Sequence, residues 1–201
     1  MAYIKIDTSK HPIETERLLL RAWKVSDLKD FNEYASVEGV GEAAGWHHHQ
    51  SMEESEKILN RFIENDDDYA VVLKETGKVI GSFGFHSSTW IDEDSSLSNS
   101  NYTSIGYVLS KAYWGKSLMP EALNAVIKYL FDNDVVESIA ISHFLENDRS
   151  RRVIEKAGFS FVREGTHKTR MVDDNGEPII KNDKKYLLLK MNFKDIFESM
   201  L

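Results

Sequence analysis

The segment from Thr103 to Phe131 constrains the fold more than any other part of this chain. A strand-like run, Thr103 to Leu109, leads into a short loop containing Gly115 and then into a helix. Apolar residues recur along one face of that helix, at Met119, Ala122, Leu123, Val126, Ile127 and Leu130. A strand, a glycine-bearing loop and a helix N-terminus can hold phosphate, because the first helical N–H groups lack internal partners and the helix dipole favours an anion there.

Three interpretations of this loop compete: an ordinary strand-to-helix turn, a nucleotide-binding P-loop, and a pyrophosphate site for coenzyme A. Gly115 lets the backbone approach a ligand, Lys116 adds a charge, and Ser117 is a favourable N-cap residue. The run Gly115-Lys116-Ser117 matches the end of the P-loop motif, but that motif needs a glycine where this chain has Ser110. We therefore reject the P-loop, and this segment alone leaves the other two interpretations open.

Length and composition predict one domain, residues 1–201, with a substantial core. The chain has no cysteine, which excludes disulfides, thiolate metal sites and a cysteine nucleophile. Its N-terminus has no apolar run of signal-peptide length, and no segment is apolar over the length that spans a bilayer. We therefore expect a cytoplasmic protein without a membrane partner.

The charge balance is acidic, with 33 Asp and Glu against 25 Lys and Arg and a net charge of −8. This argues against general nucleic-acid binding, which usually requires a basic face. An acidic surface would instead steer a cationic partner such as a polyamine, an aminoglycoside or a basic protein N-terminus. Solubility alone explains the same charge equally well.

The remaining patterns predict the element order β-α-α-β-β-β-α-β-α-β-β, a mixed sheet with helices on its faces. The predicted strands are Arg17–Arg21, Tyr69–Leu73, Lys78–Phe85, Thr103–Leu109, Glu137–His143, Phe159–Glu164 and a strand within Ile179–Met191. Asn147 is the predicted cap of the last helix, which Gly158 ends. Residues 92–101 are polar and of low complexity, and we interpret them as a long flexible hairpin loop.

In the order of its predicted elements and in its motifs, the chain resembles the GNAT acetyltransferase superfamily. Within that superfamily it resembles the RimJ/RimL type, which includes ribosomal-protein N-terminal acetyltransferases. The resemblance covers roughly Ile13 to Met191. The stretches that carry it are Glu14 to Arg21, Ile105 to Leu109 with Tyr113 to Lys116 and Glu121-Ala122, Asn147 to Ser150, and Val153 to Phe159. It implies a single α/β (α+β) domain whose seven-stranded sheet is mixed, mostly antiparallel and flanked by helices, with its fourth and fifth strands splayed.

The resemblance also implies acetyl-CoA as co-substrate and no metal. The fourth strand would offer backbone groups to the pantetheine arm, and the loop and helix start would hold the pyrophosphate. Asn147 and Ser150 would contact the far side of the cofactor, and Lys116, Arg149, Arg151 and Arg152 are candidates for its phosphates, although a solvated helix face explains each arginine as well. The implied cofactor residues are Tyr107, Val108, Leu109, Trp114, Gly115, Lys116, Ser117, Leu118, Met119, Asn147, Ser150 and Arg152.

The chain departs from the family pattern in the loop and in the catalytic helix. The loop positions that the family fills with Gln or Arg, Gly, and Gly or Ala read Trp114, Ser117 and Met119. A Cβ at Ser117 stands where backbone would meet phosphate, which predicts weakened cofactor binding. Many members carry a tyrosine acid seven residues after the asparagine, and that position here is Ile154.

Acetyl transfer to an amine needs a neutral amine, a stabilised carbonyl oxygen and a departing thiolate, and direct attack needs no protein nucleophile. His143 is the first candidate for the base, against the alternative of a partly buried histidine bonded to backbone. Asn147 is a second catalytic candidate, as the residue that orients a water or the acceptor. Glu42 and Trp46 in a glycine-rich loop are predicted to bind the acceptor, and His86 is a further candidate.

The leading hypothesis is an N-acetyltransferase for a primary amine, either a small molecule or a peptide N-terminus, acting as a monomer or homodimer. The alternatives are a non-catalytic CoA-binding or regulatory module and, less favoured, an interaction scaffold. His47-His48-His49 suggests a metal site, but neighbouring loop side chains rarely converge on one ion, and no further ligand at suitable spacing is evident. We therefore interpret the three histidines as part of an exposed loop.

Overall fold

The protein is described here by a computed structural model that covers residues 2–92 and 101–193. The strands are β1 (Ala2–Tyr3), β2 (Ile13–Glu14), β3 (Leu18–Ala22), β4 (Asp68–Leu73), β5 (Lys78–His86), β6 (Asn101–Leu109), β7 (Ser138–Phe144), β8 (Ser160–Val172) and β9 (Pro178–Leu189). The helices are α1 (Leu28–Ala35), α2 (Met52–Asn65), α3 (Thr89–Asp92), α4 (Leu118–Asp132) and α5 (Asp148–Lys156). Within the predicted flexible loop of residues 92–101, residues 93–100 lie outside the described part of the chain.

The strands form one mixed, mostly antiparallel sheet in the order β2-β3-β4-β5-β6-β7-β9-β8, with β1 pairing on β6. The seven predicted strands correspond to β3 through β9, and the sheet gains two strands of two residues each, β1 and β2. Such short strands carry no periodicity of their own, and backbone pairing alone defines them. In the described part of the chain, no helix is long and apolar enough to cross a membrane.

The fourth and fifth predicted strands, β6 and β7, diverge after a short contact. They pair in parallel at three positions, Tyr102 with Ser138, Thr103 with Ile139 and Ser104 with Ala140. Beyond Ser104, β6 continues to pair with β5 as far as Leu109, while β7 continues against β9. The edge of residues 105–109 that faces β7 is therefore open, which confirms the predicted splay and leaves a gap through the sheet.

The two faces of the sheet have separate cores. Helix α4 packs on one face, where the apolar stripe predicted from Met119 to Leu130 is fully buried together with Ile154 of α5. Helices α1 and α2 cover the other face around Trp23, Phe31 and Leu59. Burying a side chain of leucine or phenylalanine size contributes about 1.5–3 kcal/mol, so both cores stabilise the sheet. We call these two surfaces the α4–α5 face and the α1–α2 face.

The β8–β9 hairpin is longer than the sequence predicts, because β8 runs from Ser160 to Val172 rather than ending at Glu164. Most of β8 is exposed and polar, so no alternation of apolar residues marks it. Pairing with β9 along its length defines the strand, and the backbone N–H of Arg170 donates to the carbonyl of Gly45 at 2.8 Å. The hairpin therefore reaches the glycine-rich loop that follows α1.

Candidate active site

The loop before α4 has the backbone of a phosphate-binding turn. Gly115 has a φ of 76° and no atom within 4 Å of the place where a Cβ would stand. Ser117 also has a left-handed backbone, with a φ of 56°, which is uncommon for a residue with a side chain. It occupies the N-cap position as predicted, but its side chain makes no capping hydrogen bond. A capping serine normally has an extended backbone, which explains this difference.

Arg17, just before β3, fixes this loop from about a hundred residues away in sequence. Its guanidinium donates to the carbonyl of Lys116 at 3.0 Å and to that of Ser117 at 3.3 Å, and it forms an ion pair with Glu121 at 2.6 Å. In a trans peptide the C=O and the following N–H point in opposite directions. Holding these two carbonyls therefore turns the N–H groups of Ser117 and Leu118 away from Arg17, where they can meet an anion.

Glu121 completes this clamp in the first turn of α4. Its carboxylate accepts hydrogen bonds from the Thr15 hydroxyl at 2.5 Å and from the Arg17 backbone N–H at 2.9 Å. Burial alone would raise the pKa of Glu121, but these hydrogen bonds and the Arg17 charge outweigh it and lower the pKa. The carboxylate therefore stays ionised at neutral pH and keeps Arg17 in place.

Trp114 connects the end of β6 to α5. Its indole N–H donates to the Leu109 carbonyl at 2.8 Å, so this part of the predicted pantetheine contact is already engaged. The Arg149 guanidinium lies 3.9 Å from the centre of the Trp114 ring, a cation–π contact between α5 and the loop. Arg149 thus has an aromatic partner, and its predicted role toward phosphate stays a prediction.

The gap between β6 and β7 is bridged by Tyr107. Its hydroxyl lies 3.0 Å from the Ser150 hydroxyl in the first turn of α5, so the two predicted cofactor residues meet across the splay. Burial raises the pKa of Tyr107, with the Ser150 hydrogen bond opposing the shift, so the phenol stays protonated at neutral pH.

The basic residues of α5 and of the loop before α4 differ in their interaction partners. Arg151 pairs with Asp148 and Glu155 on its own helix, at 3.1 Å each. Arg152 is exposed and pairs with no carboxylate in the described ranges. Lys116 is also exposed and lies 5.0 Å from the centre of the Tyr113 ring. Lys116 and Arg152 are therefore the cations most available to a phosphate.

The predicted base, His143, is 5% exposed and lies on the α4–α5 face. Its Nδ1 is 2.8 Å from the Phe144 carbonyl oxygen, so Nδ1 carries the proton of the neutral ring and donates it. Its Nε2 lies 3.3 Å from the Tyr186 hydroxyl. Both ring nitrogens thus have protein partners, the alternative that the sequence left open, and the catalytic role stays a prediction. Ile154 is completely buried in the core.

Asn147 caps α5 as predicted, since its Oδ1 accepts from the Ser150 N–H at 3.1 Å. Its Nδ2 donates to the Ala43 carbonyl at 3.2 Å, which ties the glycine-rich loop to α5. Both the oxygen and the nitrogen of the amide have hydrogen-bond partners. Asn147 therefore has a structural role, and its catalytic role stays a prediction.

Glu42 and Trp46 lie in the loop after α1 but face different surroundings. The Glu42 carboxylate accepts from the backbone N–H groups of Gly39 and His48 and lies 2.9 Å from His48 Nδ1. Burial opposes ionisation of Glu42, but hydrogen bonds from His48 and Gly39 lower its pKa to about 2. Trp46 is half-buried against His49, with ring centres 5.1 Å apart.

A cavity of about 200 Å³ opens beside the N-terminus of α5. Both signs of charge occur on its wall, and the Lys181 ammonium crosses it to the Glu146 carboxylate at 2.7 Å. Its lining residues are Glu42, Ala43, Phe144, Glu146, Asn147, Arg149 and Lys181. Glu42 and Asn147 therefore meet at one cavity, whereas Trp46 lies outside its lining.

The three consecutive histidines have three separate partners. His47 contacts the Val172 carbonyl, His48 contacts Glu42, and His49 contacts the Ser55 hydroxyl. Their rings therefore do not converge on one point. Across residues 2–92 and 101–193, no group of three or more His, Cys, Asp or Glu side chains is arranged to hold a metal.

His86 has a neighbour that the sequence analysis missed. At the start of β4, the Asp68 carboxylate lies over Gly84, on the same side of Gly84 as the His86 ring. Burial and the adjacent Asp67 carboxylate raise the pKa of Asp68, against a smaller effect of Arg170. Desolvation lowers the pKa of His86, although part of this side chain is exposed. An acidic residue opening an otherwise apolar strand, Asp68-Tyr-Ala-Val-Val-Leu73, was the available signal.

Known proteins share this architecture. The N-acetyltransferase YoaA of Bacillus subtilis (strain 168), described as uncharacterized, is 24% identical over 175 residues, covering 85% of this chain and 93% of that protein. The crystal structure of a GNAT-family acetyltransferase from Bacillus anthracis superposes with a TM-score of 0.72 at 23% identity, covering 90% of this chain and 99% of that one. A putative ribosomal-protein-serine acetyltransferase from Vibrio cholerae gives a TM-score of 0.70 at 19% identity, with the same coverage.

These likenesses establish the fold, and the sequence of the domain establishes the family. The family described as "Acetyltransferase (GNAT) domain" matches residues 17–160. This range includes the Arg17 clamp, the loop before α4, the splayed strands and the whole of α5. The chain belongs to the GNAT acetyltransferase family and is an acetyl-CoA-dependent acyltransferase.

Proposed function

We propose that this protein is an N-acetyltransferase of the RimJ/RimL type that transfers the acetyl group of acetyl-CoA to a primary amine by direct attack. The observation that carries the proposal is the open edge of β6 beside the N-terminus of α4. Apart from the Leu109 carbonyl, which accepts from the Trp114 indole, the edge of residues 105–109 can pair with the amide groups of a pantetheine arm, as a further strand would. The anion site at Ser117 and Leu118 lies at the end of the same edge.

The residues present fit coenzyme A along this path. The N–H groups of Ser117 and Leu118 face the pyrophosphate, and Lys116 and Arg152 are exposed beside it for the remaining phosphate charge. Tyr107 and Ser150 stand where the arm would pass between β6 and α5. Along this path the thioester would reach the gap through the sheet, where an acceptor could approach it from the α1–α2 face.

In the proposed reaction the neutral amine attacks the thioester carbonyl, a C–N bond forms, and the C–S bond breaks. An ammonium acceptor releases two protons in all, one before attack and one as the amide forms, and the thiolate takes up one of them. The Tyr107 phenol keeps its proton at neutral pH and stands in the gap, so it can donate a hydrogen bond to the departing thiolate, for which Ile154 has no polar atom. The positioning of two bound substrates supplies much of the remaining rate.

The acceptor is proposed to be a peptide N-terminus or a small cationic amine. The net charge of −8 favours cations by steering, and the cavity near Glu42 can take a group that carries both charges. The resemblance of the V. cholerae protein, a putative ribosomal-protein-serine acetyltransferase, adds support for a peptide. The active species is proposed to be a monomer or homodimer.

Two measurements test this function. Isothermal titration with acetyl-CoA should give a Kd below the millimolar range, and absence of binding at millimolar ligand would reject the proposal. Release of free thiol should then be followed with a short peptide beginning with Ser or Ala, with spermidine and with kanamycin. Turnover on any of them supports the enzyme. Tight binding without turnover on a broad amine panel would favour the non-catalytic CoA-binding module, which the buried Ile154 also suggests.

A further inference from the structure

An acceptor that arrives as an ammonium must lose a proton before it can attack, and both ring nitrogens of His143, the predicted base, already have protein partners. Three positions on neighbouring strands of the α1–α2 face offer another site. Asp68 of β4 is paired with Gly84 of β5, and Gly84 with Gly106 of β6. Directly opposed residues in a sheet point to the same face, and adjacent strands lie about 4.8 Å apart. The three positions therefore form a straight row that ends at the open edge of β6.

Gly84 and Gly106 have no side chains on this face of the sheet, and two polar side-chain atoms border the space above them. A Cβ on Gly84 would lie 2.2 Å from Asp68 Oδ1 and 2.9 Å from His86 Nε2, so no side chain fits there. A Cβ on Gly106 would lie 3.8 Å from the same His86 nitrogen. Asp68 Oδ1 and His86 Nε2 are thus close enough for one amine nitrogen to contact both.

Asp68 is a buried carboxylate, and Arg170 is a cation that acts on it. It is 8% exposed, and in the described residues neither an N–H donor nor an ion-pair partner satisfies it. The adjacent Asp67 carboxyl raises the pKa of Asp68, an arrangement that favours one shared proton. A buried carboxylate left in this way is costly unless a positive group joins it. Because Arg170 acts on Asp68 without an ion pair, the carboxylate can still receive the positive group of a ligand.

The row also lies next to the gap. Gly106 follows the last β6 residue that pairs with β7, Ser104, by two positions. An amine over Gly106 therefore faces the opening in the sheet, with the α4–α5 face on its other side. We propose that Asp68 receives the ammonium group of the acceptor and takes its first proton, while His86 Nε2 contacts the same nitrogen. This inference rests on the proposed function, because it requires an amine acceptor.

In this step an N–H bond of the ammonium breaks and an O–H bond to Asp68 forms, which leaves the nitrogen lone pair free to attack. After the amide forms, the acetylated nitrogen has also lost its second proton to the departing thiolate, and Asp68 returns its proton to solvent. The groups that face Asp68 are Asp67, which precedes its strand, Tyr3 of β1, Tyr34 of α1, His86 of β5 and Arg170 of β8. Asp67 favours a proton on Asp68, whereas Arg170 opposes it.

The test compares Asp68→Asn with Asp67→Asn, using the peptide acceptor. Loss of a general base typically reduces the rate by about 10²- to 10⁴-fold, so kcat/KM of Asp68→Asn should fall at least about a hundredfold at neutral pH. The acidic limb of its pH profile should disappear. In Asp67→Asn the Asp68 pKa falls, so the acidic limb should move to lower pH with the plateau retained. A hydrazide analogue, whose terminal nitrogen is already neutral, should lose much less than the peptide in Asp68→Asn.

Acetyl-CoA affinity by calorimetry should be unchanged in both variants, which separates this inference from the proposed function. Wild-type kcat/KM and an unaltered pH profile in Asp68→Asn would overturn the inference while leaving the enzyme in place. A second measurement needs no turnover: the ¹³C carboxyl resonance of Asp68 should titrate well above an ordinary aspartate, and the peptide should lower that titration point. If the titration point of the Asp68 resonance does not change when the peptide is added, the inference is also overturned.

Discussion

At the scale of single residues, Ser117 explains why this loop position favours glycine. Its φ of 56° is forced by the turn between Gly115 and α4, and its hydroxyl makes no capping bond that would compensate. A left-handed backbone costs a residue with a Cβ about 1–2 kcal/mol relative to glycine. The sequence suggested that the Cβ interferes with a ligand, and the geometry adds strain in the protein itself.

Ser117→Gly should therefore stabilise the protein and tighten cofactor binding. The relief of backbone strain in the folded state outweighs the greater conformational entropy that glycine gives the unfolded chain. We therefore expect the free energy of unfolding to rise by up to about 1 kcal/mol. The Kd for acetyl-CoA should fall, because backbone can approach the pyrophosphate without a Cβ. Urea unfolding and calorimetry measure the two effects.

Asp134→Gly is the matched control, since Asp134 follows the other end of α4 with a φ of 55°. It should change stability without changing the Kd. Weaker acetyl-CoA binding in Ser117→Gly would show instead that the Ser117 hydroxyl contacts phosphate.

At the scale of elements, the proposed anion site depends on both Arg17, just before β3, and α4. Arg17 and Glu121 connect the two elements, and Arg17 holds both loop carbonyls. Hydrogen bonds from a charged donor contribute about 1.5–3 kcal/mol each when well placed, and less when the donor is partly exposed, as Arg17 is. The clamp is therefore strong enough to orient the first N–H groups of α4.

Arg17→Ala should raise the Kd for acetyl-CoA by about tenfold, which corresponds to 1.4 kcal/mol of lost binding energy. The reason is that the peptide groups of Lys116 and Ser117 can then rotate, so their N–H groups are no longer held toward the ligand. Lys78→Ala is the control, because it removes the exposed ion pair of Lys78 with Glu33 of α1 and leaves Arg17, Thr15 and Glu121 in place. Equal Kd values for the two variants would show that α4 orients its own N-terminus.

What could be predicted from sequence depends on whether a feature is local. The α4 stripe, the Asn147 cap and the Gly158 stop follow from short-range spacing, and the structure has all three. The length of β8, the Arg17 clamp and the row of Asp68, Gly84 and Gly106 each arise from pairing between distant strands. No pattern within one segment encodes such neighbours, which is why Asp68 was missed while His86 was only a candidate.

At the scale of the whole molecule, the domain consists of two parts of one sheet held together by little β pairing. The strands from β2 to β6 form one part, and β7, β9 and β8 form the other. Between them only three residue pairs connect β6 to β7. Helix α4 on β2 and β3, and its contacts with α5, add to this connection. A ligand in the gap would contact both parts and would therefore strengthen the connection between them.

Acetyl-CoA should accordingly raise the thermal midpoint of unfolding. At a free concentration one hundred times the Kd, binding to the folded state alone contributes about 2.7 kcal/mol, which for a domain of this size corresponds to about 5–10 °C in Tm. Scanning calorimetry measures the shift. Hydrogen exchange should show which elements are stabilised. Acetyl-CoA should slow exchange more in β7 and α5 than in β3 and β4, because β7 and α5 lie on the other side of the gap. Equal slowing throughout the sheet, or a shift in Tm without slowing in α5, would place the bound cofactor outside the splay and contradict the proposed path.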